Sequence, residues 1–326
     1  MYHGIINIYK EPGYTSHDVV ARLRGILRQK KIGHTGTLDP DAEGVLPVCL
    51  GMGTRLCEAF AGETKTYEAV LLLGLVTDTQ DTSGRVLADK SREAASLTRD
   101  AAEEAVLSFA GGYEQIPPMY SALKVGGKKL YELARQGKEV ERKPRHVEIP
   151  SISIEEMELP RVRIRVDCSK GTYIRTLCHD IGEKLGCGGC MEHLTRLRVG
   201  QFRAEDSLRL DAVEALRDEG KIAEKILSVE QVLSVYPALH TLPGGDKALH
   251  NGNPCFPGQI AAEAGREDMP GTSGRKAAEP AEGVRARMYD SQGVFAGVYE
   301  YRKDRGWWRP WKMFLSREEQ PEGRQG

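Results

Sequence analysis

Between Gly33 and Gly51 the chain reads Gly-His-Thr-Gly-Thr-Leu-Asp-Pro-Asp-Ala-Glu-Gly-Val-Leu-Pro-Val-Cys-Leu-Gly, and no other stretch restricts its own backbone so closely. Glycines at 33, 36, 44 and 51 admit positive φ and close backbone approach, while Pro40 lacks an N–H and disfavours helix at Asp39. Asp39 is therefore expected on a fixed, extended loop. A carboxylate held there, with His34 and the hydroxyls of Thr35 and Thr37 close by, can serve as a nucleophile or a base. An Asp-Pro turn whose Asp caps the next element is the structural alternative.

Several chemistries lose support in the same stretch. No Lys-Ser or Lys-Thr follows the glycines, so the phosphate-cradling GxxxxGK[ST] loop is absent. His34, Asp39, Asp41 and Glu43 lack the spacing of HExxH or of a calcium loop, and no metal is expected. What remains is one carboxylate on a rigid loop.

A chain of 326 residues with 40% hydrophobic residues can build one large domain or two, and the change of character near its end favours two. No apolar run approaches the roughly 18 residues a membrane span needs, and Met1–Lys10 has no signal-peptide pattern, so a cytoplasmic protein is expected. Seven scattered cysteines argue for reduced thiols, with Cys187-Gly-Gly-Cys190 read as ordinary loop thiols rather than a zinc or redox pair. The net charge of −1 does not announce a nucleic-acid partner; local clusters of Lys and Arg carry that signal instead.

Ile5, Ile6 and Ile8 predict a first strand ended by Glu11-Pro12-Gly13. Thr15 or Ser16 then caps a helix with Val19, Val20, Leu23, Ile26 and Leu27 on one side. Arg22, Arg24 and Arg28, followed by Lys30 and Lys31, are exposed beside it, a solvated face or a phosphate contact. Lys65–Gly74 alternates as a strand with Tyr67, Ala69, Leu71 and Leu73 on one face, where Tyr67 is core or a stacking platform at the strand mouth. Thr77–Gly84 reads as a polar turn and Thr98–Phe109 as a capped helix. From 117 to 148 Lys and Arg outnumber acids, with Tyr120 and Tyr131 interleaved, as in a solvated hairpin and helix or an RNA-gripping insertion. Val162–Cys168 is a half-buried strand, and Gly171 and Thr172 start a helix with Ile174, Leu177, Cys178, Ile181 and Leu185 inward. Arg175 falls in its first turn, off that face; a cation there opposes the helix dipole at a cost of about 0.3–1 kcal/mol, and a carboxylate is its natural partner. Short helices are expected at Asp211–Arg217 and around Glu230–Leu233. After Tyr236-Pro237, residues 261–283 read as a disordered or poorly packed insertion, flanked by strands at Val284–Tyr289 and Val294–Tyr301 and by Trp307, Trp308 and Trp311 among basic residues. Residues 317–326 read as a tail.

The run Gly33–Gly51 resembles the signature of the TruB-type pseudouridine synthases, which isomerise uridine in the T arm of tRNA, and the resemblance extends along much of the chain. It implies that Asp39, in Gly-Thr-Leu-Asp-Pro, is the catalytic residue. Lys65-Thr-Tyr67 resembles the segment whose Tyr meets the target base, and Cys168-Ser-Lys-Gly-Thr-Tyr-Ile-Arg175 the one whose Arg pairs with the catalytic Asp. Arg175 would then keep Asp39 ionised and lower its pKa. His193–Gly200 resembles the segment whose apolar residue packs under the base, carried over onto Leu197. Lys10–Ser16 resembles a motif beside the active site, Thr77–Gly84 an Asp-rich motif meeting the tRNA, and Tyr120–Gly137 a substrate-clamping insertion. His34, Leu197, Lys10, Thr37, Asp78 and Lys124 are accordingly expected to bind substrate. The implied architecture is α+β: a mixed-sheet catalytic domain with flanking helices over 1–236, then a small β-rich PUA-like domain over 237–316. No cofactor, no membrane and no obligate protein partner are expected, and a monomer acting on the T arm of tRNA is. A non-catalytic tRNA chaperone with the same basic surfaces, or an unrelated metal-dependent hydrolase using Asp39, Asp41 and His34, are the alternatives.

Overall fold

The computed structural model describes residues 1–261 and 279–315. Most of the insertion expected over 261–283, and the tail expected over 317–326, lie outside the described residues. The chain divides into two compact units, Met1–Tyr2 with Ile6–Ile226, and His3–Ile5 with the chain from Leu227 onward.

The strand β1 (Gly4–Lys10), which belongs to the first unit from Ile6 onward, leads to α1 (Ser16–Ile26). Thr15 caps α1: its hydroxyl accepts from the Asp18 N–H while the Asp18 carboxylate accepts from the Thr15 N–H, a reciprocal box that fixes where the helix begins. Val19, Val20, Leu23 and Ile26 recur at helical spacing and bury against Ile6, Ile8, Leu46, Val48 and Leu50. β2 (Ile32–His34) pairs antiparallel with β3 (Glu43–Leu50), and the connection between them carries Asp39.

The large mixed sheet runs in the order Ser151–Glu158, Arg161–Cys168, β4 (Lys65–Leu73), Gly189–Val199, β3, β1. Its alternation follows the sequence: Tyr67, Ala69, Leu71 and Leu73 are buried, with Glu68, Val70 and Leu72 half-buried on the other face. The helix Ile174–Lys184 covers the first face, adding Ile174, Leu177, Cys178 and Ile181 to the same core. It begins later than the glycine at 171 suggests, with Tyr173 in the cap position. Gly189–Val199 runs antiparallel to β4 but parallel to β3, which it meets at Thr195↔Glu43 and Arg196↔Gly44. That junction depends on Gly44: its φ is +105°, and a Cβ there would stand 2.3 Å from the Arg196 carbonyl oxygen. Gly33 and Gly36, by contrast, are absent from the residues with positive φ.

The basic insertion forms a short hairpin, Lys124–Val125 with Lys128–Lys129, followed by the helix Leu130–Ala134, which buries Leu130 and Leu133 and leaves Lys124 exposed. Cys187 and Cys190 are buried rather than set in an open loop, at 1% and 0% exposure. Among the described residues no helix is long and apolar enough to cross a membrane.

The second unit is built on a four-stranded sheet, Ala238–His240, Arg285–Tyr289, Phe295–Arg302 and Trp307–Met313, its first pair parallel and the others antiparallel. The tryptophans divide between core and surface. Trp308 packs in the core against Tyr301, while Trp311 is half-buried with the Arg285 guanidinium 4.0 Å from its ring centre.

Candidate active site

Asp39 projects from the connection between β2 and β3, which is pinned at several points. The Leu38 N–H donates to the Ser16 hydroxyl at 2.9 Å, the Thr35 N–H to the Pro47 carbonyl at 3.2 Å, and the Gly13 N–H to the Pro40 carbonyl at 3.0 Å. Leu38, next in sequence to Asp39, is itself buried. The expected rigid loop is thus held by its own backbone and by the turn before α1.

Lys10 is 0% exposed, and its ammonium donates to the carbonyls of Glu11, Pro40 and Ala42 at 3.1, 2.9 and 2.5 Å. A lysine has three N–H donors, and all three are engaged. Lys10 was expected to bind substrate; enclosed in this way it clamps the loop around Asp39 instead. Burial lowers its pKa to about 8 although Asp39 and Asp41 pull the other way.

Arg175 pairs with Asp39 through two parallel interactions, Nε to Oδ2 at 2.9 Å and Nη2 to Oδ1 at 3.2 Å. Its other donors meet the carbonyls of Tyr120 at 2.9 Å and Thr79 at 3.0 Å, and Asp81 Oδ2 lies 3.7 Å from Nη1. A guanidinium engaged on every side is fixed in plane, and so fixes the carboxylate it holds. The sequence placed Arg175 off the apolar face of its helix; it is buried, at 5% exposure, because three loops close over it. Asp39 remains open, with 38% of its side chain accessible.

The expected fall in the Asp39 pKa is not what this environment produces. Burial raises it, the Arg175 charge lowers it, and the Asp81 charge raises it again, leaving the carboxyl above its ordinary value. Asp81 is therefore the acidic residue of the 77–84 turn that reaches the site. Asp78, expected to bind substrate, closes the turn instead by accepting from the Arg85 N–H at 2.8 Å.

Tyr67 is 8% exposed and pairs across the sheet with Arg196. Burial raises the phenol pKa, the Arg196 charge opposes that, and the Asp39 charge adds to it. His34 sits at the end of β2 with its ring edge against His17, 5.2 Å between centres, and its buried Nδ1 has no hydrogen-bond partner among the described residues. Burial and the His17 charge lower its pKa, which keeps the ring neutral near pH 7. Thr37 presents its side chain to solvent, and its carbonyl faces Arg196.

Leu197 is not part of this group. The Gly189–Val199 strand carries an irregularity between Arg196 and Arg198, and Leu197 lines a cavity of about 420 Å³ with Thr66, Arg165, Asp167 and Arg203. Thr66 and Tyr67 are consecutive on β4, so the cavity belongs to the opposite face of the sheet. Met191 and Leu194 are the apolar residues of this strand that share a core with Tyr67 and Leu38, and Leu194 is the nearer of the two in sequence to Arg196, the partner of Tyr67 across the sheet. Sequence reasoning missed Asp81, Leu194 and Arg196. Alternation along the strand, which puts Leu194 and Arg196 on one face, was the signal for two of them.

Residues 24–174 match the model of the TruB family pseudouridylate synthase N-terminal domain, and residues 175–234 that of the tRNA pseudouridylate synthase B C-terminal domain. A protein of Lachnoclostridium phytofermentans named tRNA pseudouridine synthase B is 48% identical over 321 residues, covering 96% of this chain and 100% of that one. The chain belongs to the TruB family. Another member, from Heliobacterium mobile and with the same name, is 53% identical over 237 residues, 72% of this chain and 75% of that one. Among solved structures, one described as a Cbf5-Nop10-Gar1 complex superposes with a TM-score of 0.68 at 26% identity, over 97% of this chain and 86% of that one. The pseudouridine-synthase fold expected from the sequence, a mixed-sheet domain followed by a small β-rich one, is the fold observed.

Proposed function

We propose that this enzyme isomerises uridine to pseudouridine in tRNA, at the T-loop uridine at position 55, with Asp39 as its catalytic carboxylate. The observation that carries the reading is the two-point Arg175–Asp39 pair, on a pinned loop with the carboxylate still open. Family membership supplies the reaction class, and relatives named tRNA pseudouridine synthase B support the substrate.

A uridine within a folded loop must leave its stack before any side chain can reach it, and loops cost least to open. His34, uncharged, fills the space vacated. Tyr67 and Leu194 flank the base, Leu194 taking the place expected of Leu197. Asp39, oriented by Arg175, serves cleavage of the N1–C1′ bond. The freed uracil turns, C5 bonds to C1′, and the C5 proton is lost while N1 gains one. Atoms and electrons balance without redox chemistry or an energy source. The exposed Lys124 hairpin and the Trp311 surface of the second unit, which we take as a PUA-like module, contact RNA backbone.

The test uses a tRNA transcript carrying tritium at C5 of its uridines. One equivalent of label should pass to water, and none when the T-loop uridine alone is replaced by cytidine. Full release from the cytidine transcript would overturn the assignment of position.

A further inference from the structure

Arg196 is the most voluminous side chain fully enclosed by the described residues, at 1% exposure. Among those residues it has no carboxylate within ion-pair distance, in contrast to Arg175. Burying a cation without a counter-charge is strongly unfavourable unless its donors are met and its field acts on something. Its donors are met by backbone carbonyls, Nε donating to Val45 at 2.7 Å, Nη1 to Thr37 and Nη2 to Gly36, both at 3.4 Å, and its partner across the sheet is Tyr67. One cation thus joins the backbone leading into Leu38 and Asp39 to the ring expected to stack on the base. A neutral amide would meet carbonyls as well. What a charge adds is stabilisation of negative charge on the phenol oxygen.

We propose that Arg196 is a positioning residue of the isomerisation, fixing the Tyr67 hydroxyl against the Asp39 loop and stabilising a transient phenolate that carries the proton between N1 and C5. This rests on the function proposed above. The step balances: the detached uracil anion takes the phenol proton at N1, and after C5 bonds to C1′ the phenolate takes the C5 proton. That proton then exchanges with water, and the phenol is restored. The charges that act on the phenol are those of Arg196, on the Gly189–Val199 strand, which lowers its pKa, and of Cys168, on the neighbouring strand, and Asp39, which raise it. Of these Arg196 alone is a cation.

The experiment is a double-variant cycle with Tyr67→Phe, which keeps the ring, and two changes at 196. Arg196→Gln keeps donors without charge; Arg196→Lys keeps charge without the planar fork. In the native background Arg196→Gln should lower kcat by roughly a hundredfold with little change in KM, and Arg196→Lys should recover part of the loss. In the Tyr67→Phe background neither should change kcat by more than about twofold. Equal losses with and without the hydroxyl would overturn the proposal and leave Arg196 a support of the loop. Should Arg196→Gln not fold, the same comparison with Arg196→Lys decides it. Independently of activity, ¹³Cζ-tyrosine spectra should show the Tyr67 phenol titrating higher in Arg196→Gln than in the native protein; an unchanged midpoint contradicts the charge role. A native enzyme that forms no pseudouridine in tRNA would instead sink the functional reading, a distinguishable result.

Discussion

Arg175 holds Asp39 from one side while Asp81 stands within reach of the same guanidinium, so the two carboxylates compete for one cation. Like charges near one another disfavour ionisation, and Asp81 accordingly raises the Asp39 pKa. The sign follows: the active form needs the carboxylate ionised, so kcat/KM should fall as pH falls through a midpoint above the ordinary value of 3.8. Asp81→Asn removes the opposing charge and should move that acidic limb to lower pH, read from a pH series of kcat/KM. A limb that stays in place, or moves upward, would mean Asp81 does not act on Asp39. The Asp39–Arg175 partnership was implied by family resemblance and not by spacing, since the two residues are far apart in sequence. The resemblance also misled: it suggested a lowered pKa because Arg175 was foreseen while burial and Asp81 were not.

The strand Gly189–Val199 shows what alternation can and cannot give. Periodicity placed the strands and the buried face of β4 correctly because half-buried sheets impose a two-residue repeat. Motif matching carried the apolar base contact onto Leu197, but the irregularity between Arg196 and Arg198 lies there, and the cavity it lines contains Thr66, not Tyr67. Leu194, buried at 6% and in the same core as Tyr67, is the residue proposed for that contact instead. Leu194→Ala should therefore reduce kcat by roughly tenfold or more, while Leu197→Ala leaves it within about twofold. Steady-state turnover on tRNA checks this, and the reverse order would restore Leu197. Lys10 was likewise carried over by motif resemblance, and only the folded loop shows its donors engaged with three carbonyls.

At the scale of the whole chain a net charge of −1 leaves RNA affinity to local surfaces. Arg22, Arg28, Lys30 and Lys31 are exposed around the end of α1, in the stretch that leads into β2 and the Asp39 loop. Their side chains make no hydrogen bond or ion pair among the described residues, as free phosphate-binding groups would not. Replacing all four by glutamine should weaken tRNA binding and flatten its dependence on salt, by roughly 0.7–0.9 in the log–log slope for each phosphate that is no longer neutralised. Binding measured from low to moderate salt gives that slope, and an unchanged slope would remove this surface from the interface. The proposed role of Asp39 is to perform the chemistry while the surrounding surfaces only hold the RNA. Its most direct test is Asp39→Asn with C5-tritiated tRNA, counting label released and measuring binding on the same preparation. No release is expected, with affinity largely kept; release at the native rate would mean that another group is the catalytic carboxylate.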